Sequence, residues 1–175
     1  MSTNSSSDHI SDGAILERSF SFCNEAMKTI SLQIRRLQTS EPEDSKFLHR
    51  QWVDLRFLLL SLDRLYKAAG IANNIQKISN DVEKARKDFL KSLPFLKKLR
   101  DVGEHFDSYS MDDGYRKDVS RKELQVGTWN SDGTHFEYLG EEINTIKCEE
   151  AAIELFKIMR DIKNSFFQKT QNHHL

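Results

Sequence analysis

LHRQWVDLRFLLLSLDRLYKAAG, residues 48–70, decides the class of fold. Leu48, Trp52, Leu55, Leu59, Leu62, Tyr66 and Ala69 step by four and three residues throughout. A strand would alternate every second residue, whereas this spacing lays one apolar stripe along an α-helix of about 3.6 residues per turn. Gly70 predicts its stop.

The same rhythm recurs on both sides. Ile15, Ser19, Phe22, Ala26, Ile30 and Leu37 predict a first helix that ends near TSEPED, residues 39–44. Ser79 or Asn80 can cap a third helix through Val82, Ala85, Phe89, Leu93 and Leu96, which Pro94 is expected to kink without ending. Cys148, Ala152, Leu155, Met159, Ile162 and Phe166 mark a last helix from about Ile146. The period changes only in LQVGTWNSDGTHFEYLG, residues 124–140, where two β-prone runs flank a turn cluster. The expected architecture is all-α: an antiparallel four-helix bundle with a small β-hairpin inserted before the last helix. Residues 12–170 read as one domain, residues 1–11 as a flexible Ser/Asn/Asp-rich tail and residues 171–175 as a C-terminal tail.

Composition removes several function classes. The 26 basic and 27 acidic side chains nearly cancel, so no overall field draws the chain to nucleic acid or an anionic membrane. The longest apolar run, FLLLSL, is far short of the roughly 18 residues of a spanning helix, so no membrane association is expected. Cys23 and Cys148 lie among apolar residues and read as reduced thiols of a cytoplasmic protein.

Chemistry concentrates in LRDVGEHFDSY, residues 99–109. Arg100 and Glu104 are i and i+4 and predict an ion pair. Asp101 and His105 share that spacing, which predicts a carboxylate holding one imidazole nitrogen. Arg100 and His105 are five apart, roughly 140° around a straight helix, and converge poorly unless Gly103 distorts it or a second copy supplies the missing group. An arginine fork neutralises a phosphate and an imidazole moves protons near neutrality, a pairing suited to metal-independent phosphodiester cleavage.

The run RDVGEH, Arg100 to His105, resembles the R-x4-6-H motif of the HEPN superfamily, with the polar Asp101 following the arginine. The resemblance implies a helical domain, often a homodimer whose paired motifs form one cleft. It also implies a metal-independent endoribonuclease of toxin–antitoxin or phage-defence type, with RNA as substrate and an antitoxin or other protein as partner. On that resemblance Arg100 orients the scissile phosphate, His105 transfers the proton and Asp101 supports them. Lys97, Glu104, Asp107, Tyr109, Arg116 and Lys117 then form the surrounding binding surface.

Other readings compete. Arg100, Glu104 and Asp107 also fit a surface ion-pair network, individually weak. Glu104, His105 and Asp107 with His49 or His135 lack any HExxH or paired-cysteine frame, so neither metal nor cofactor is expected. His173 and His174 are assigned no role. RKDVSRKE, residues 116–123, can track a phosphate backbone or be a solvated loop. Trp129, Phe136 and Tyr138 can stack bases or cover the end of the bundle. The rival to an enzyme is a non-catalytic helical bundle that binds a protein or nucleotide through the same cleft.

Overall fold

The computed structural model describes residues 10–42, 44, 46, 50–125 and 127–172. The segment 1–9, Leu48, His49 and residues 173–175, including His173 and His174, lie outside the described residues. In chain order come α1 (Asp12–Leu37), α2 (Arg50–Ile71), a 3-10 turn (Ala72–Asn74), α3 (Ser79–Ser92), α4 (Leu96–Glu104) and α5 (Phe106–Ser110). A second 3-10 turn (Arg121–Gln125) leads to β1 (Gly127–Trp129), β2 (His135–Tyr138), β3 (Glu141–Asn144) and α6 (Thr145–Asn172). The molecule is predominantly helical, with one small antiparallel sheet.

In α2 the stripe residues Leu55, Leu59, Leu62 and Ala69 are buried and Trp52 and Tyr66 half-buried, and Leu58 and Leu65 widen the buried face. A wider face suits a helix that packs against α1, α3 and α4 together. Gly70 does not stop α2, which runs to Ile71 and tightens into the 3-10 turn. Instead, Gly70 admits the Arg86 guanidinium, whose Cζ would lie 3.0 Å from an added Cβ. In α1 the buried line is Leu16, Cys23, Ala26, Ile30, Ile34 and Leu37, while Phe22 turns outward.

Contacts fix the helix directions. Ser19 meets Ala68, Glu25 meets Arg64 and Arg36 meets Asp54, so α1 and α2 run in opposite senses. Gly13 meets Phe167, Glu17 meets Lys163 and Phe20 stacks on Phe156, so α1 and α6 do likewise. A buried carboxylate staples the α1–α2 connection. Asp54 pairs with Arg36 at 2.8 Å and Arg50 at 3.2 Å. Arg50 also binds Asp44 and donates to the carbonyls of Arg36 and Thr39 at 2.8 and 2.7 Å.

The expected kink at Pro94 is a reversal. Proline lacks an amide hydrogen and pushes the preceding residue away from helical angles. Leu93 accordingly takes φ −126°, ψ 66°, and α3 ends at Ser92. Asn73 meets Glu83 and Tyr66 meets Phe89, so α3 runs against α2. After Pro94 the pairs Asp63–Arg100 and Lys67–Glu104 advance together, so α4 lies along α2 in the same sense. Phe95, Leu96, Leu99 and Val102 hold it there by burial.

The sheet carries one strand more than the expected hairpin. The turn between β1 and β2 falls on Asn130–Gly133 as the sequence indicates, and β2 then pairs with β3 from Tyr138↔Glu141 to His135↔Asn144. Leu139 and Gly140 form this second turn with φ of 54° and 74°. Two positive φ angles match the twist of a two-residue hairpin, but leucine rarely supplies one, which hides the turn in the sequence. Phe136, Leu139 and Ile143 enter the core, and Trp52 of α2 packs on Trp129, Phe136 and Tyr138. The hairpin aromatics therefore close the end of the helices.

Candidate functional site

Four charged side chains from α2 and α4 meet where the two helices lie side by side. Arg100 Nε is 3.9 Å from Asp63 Oδ1, and its Nη1 is 3.6 Å from Glu104 Oε2. Lys67 Nζ is 2.7 Å from Asp63 Oδ2 and 3.7 Å from Glu104 Oε1. The hydrogen bond to Asp63 chiefly holds the Lys67 ammonium above its ordinary pKa, so it stays charged. Arg100 is three-quarters buried, and its Nε lies buried without a hydrogen-bond acceptor. The expected Arg100–Glu104 pair is present, but Asp63 and Lys67 were not singled out from sequence. Their D-x-x-x-K spacing reads as an ordinary solvated pair on the flank of the stripe, and only the reversal at Pro94 brings it to Arg100.

His105 ends α4 rather than continuing it. Its φ of −119° and ψ of 32° break the helix, although its amide still donates to the Asp101 carbonyl at 3.1 Å. The imidazole is exposed, and among the described residues it makes no hydrogen bond or ion pair. The predicted Asp101–His105 contact is replaced. Asp101 Oδ2 accepts from Tyr109 Oη at 3.1 Å and faces Arg116 Nε at 3.3 Å.

That exchange follows from the break at His105, which turns α5 so that Tyr109 faces inward. Tyr109 is 1% exposed and accepts from the Arg116 amide at 3.2 Å, while Gly114 lies flush on its ring. Burial, ahead of its polar neighbours, raises the phenol's pKa. Tyr109, expected on the binding surface, is thus packed into the core. Arg116 is tied to Asp101, whereas Lys97, Asp107 and Lys117 are exposed. A Cβ on Gly103 would meet nothing within 4 Å, so no described part of this chain approaches closely there.

Lys98 has a structural task. Burial lowers its pKa, but Glu141 at 3.2 Å and Asp118 at 3.3 Å outweigh this and raise it overall. Its Nζ also donates to the Leu139 carbonyl at 3.0 Å, which ties α4 to the second hairpin turn. Arg121, in the basic run 116–123, pairs with Asp112 at 3.3 Å. Among the described residues no three His, Cys, Asp or Glu side chains gather to hold a metal ion. Among them, too, no helix is long and apolar enough to cross a membrane.

Two cations, Arg100 and Lys67, thus converge on the Glu104 carboxylate, and the exposed His105 imidazole follows at the end of α4. Comparison with family models, curated proteins and solved structures finds no match for this chain.

Proposed function

We propose that this chain is a HEPN-like, metal-independent endoribonuclease whose helices α1, α2, α3 and α6 form an antiparallel four-helix bundle, and that it works as a homodimer. One observation carries the reading: an exposed, unpartnered imidazole ends α4, five residues after an arginine that makes ion pairs but no hydrogen bond. Such an arginine has donors to spend on a phosphate, and such an imidazole is free to move a proton. Arg100 neutralises the phosphodiester while one His105 takes the proton of the ribose 2′-hydroxyl. The 2′ oxygen bonds to phosphorus, the bond to the 5′ oxygen breaks, and the His105 of a second copy protonates the leaving oxygen. A second copy supplies the acid, because each chain carries a single imidazole at this motif.

The test is a cleavage assay in EDTA on a mixed RNA pool with wild type and His105→Ala. Cleavage by wild type alone, leaving 2′,3′-cyclic phosphate ends, is the expected result. The exposed position of His105 predicts a stability change within about 0.5 kcal/mol, so lost cleavage reports chemistry rather than folding. Equal cleavage by both proteins, or by neither, overturns the reading.

A second reading is a non-catalytic bundle that binds a protein partner. Its support is the outward row Val53, Phe57 and Leu60 on α2, each about half exposed. It predicts binding without turnover, unaffected by His105→Ala.

A further inference from the structure

Resting on the reading of Arg100 as a phosphate-binding group, we propose that Glu104 is a built-in competitor for the RNA phosphate. Its carboxylate occupies the place between Arg100 and Lys67 that a phosphodiester takes on binding, and substrate enters by exchange with it. One oxygen of Glu104 lies 3.6 Å from Arg100 Nη1 and the other 3.7 Å from Lys67 Nζ. The carboxylate therefore bridges cations on two helices, as the two non-bridging oxygens of a phosphodiester would.

The two carboxylates of the cluster differ in how firmly they are held. Asp63 is 13% exposed and bonds Lys67 at 2.7 Å, so it stays and keeps the ammonium in place. Glu104 is 39% exposed, is the last residue of α4 and makes both contacts beyond hydrogen-bond length. A long side chain at a helix end with two weak contacts is the one that can leave. Arg100 meanwhile keeps a buried Nε without an acceptor, so its fork is not satisfied by the carboxylates around it.

Fluorescence anisotropy tests this with a labelled, mixed-sequence single-stranded RNA whose 2′-O-methyl groups prevent cleavage. Wild type is compared with Glu104→Gln, Arg100→Gln and the double variant. Glu154→Gln, at an exposed position of α6, controls for net charge. Circular dichroism checks folding, and Arg100→Lys, which keeps the charge but not the fork, replaces Arg100→Gln if that variant unfolds. Glu104→Gln is expected to bind about 2- to 5-fold more tightly, the scale of one half-exposed ion pair. Glu154→Gln is expected to match wild type, and the gain should vanish without the Arg100 fork. If Glu104→Gln gains no more than Glu154→Gln while loss of Arg100 weakens binding, the competitor role falls and Arg100's role stands. If loss of Arg100 changes nothing, or no variant binds, the RNA reading falls and takes this inference with it.

Discussion

Gly133 shows how one residue fixes a joint. Its φ is 68°, and a Cβ there would sit 1.9 Å from the Leu37 carbonyl oxygen at the end of α1. Both the left-handed backbone and the close approach demand glycine. Gly133→Ala is therefore expected to cost about 1–3 kcal/mol, read as a lower denaturation midpoint. An unchanged midpoint would mean that the β1–β2 turn shifts freely over α1. The DG pair announced this turn, but nothing local announced its docking on Leu37, because that contact spans most of the chain. His105 is similar: Asp101 sits at the right spacing to hold it, yet Tyr109, four residues further on, takes the carboxylate instead. Spacing names the candidates for a bond, and burial decides among them.

Among the elements, the connection between α1 and α2 depends on charge. The hydrogen bond from Arg50, helped by the Glu41 amide, holds the Asp44 carboxyl at about 2 against an ordinary 3.8. A folded-state pKa below the unfolded value gives stability that is present above about pH 4 and is lost as the pH falls through about 2. The melting temperature of wild type minus that of Asp44→Asn should hold steady above about pH 4 and shrink toward zero near about pH 2. A difference that stays constant across that range would show that the pair contributes nothing. The long elements α1, α2 and α6 were legible because twenty or more residues of periodic burial leave little choice of period. The path after Pro94 was not, since Leu93, Leu96 and Leu99 fit the outer half of a kinked helix as well as a reversed one. With that path went half of the candidate site: Arg100 and Glu104 could be paired from spacing, whereas Asp63 and Lys67 reach them only through the fold.

For the whole molecule, Cys23 on α1 and Cys148 on α6 report on the common core. Both are fully buried, and burial pushes each thiol up to about 12. The reactive thiolate is thus suppressed twice, by exclusion of reagent and by the raised pKa. Both thiols are expected to react with a disulfide reagent only through global opening, at equal rates that rise together with denaturant. Rapid labelling of either one in native buffer would reveal a local opening of its helix. The contact of Trp52 with Trp129, at 5.4 Å and 88°, has an optical consequence. These are the two tryptophans of the sequence, so the tryptophan emission of the unlabelled protein originates wholly at the seam between the sheet and α2. A red shift in that emission times the wetting of this seam, while ellipticity follows the helices, and the interval between the two signals measures how long the helical body outlasts its cover.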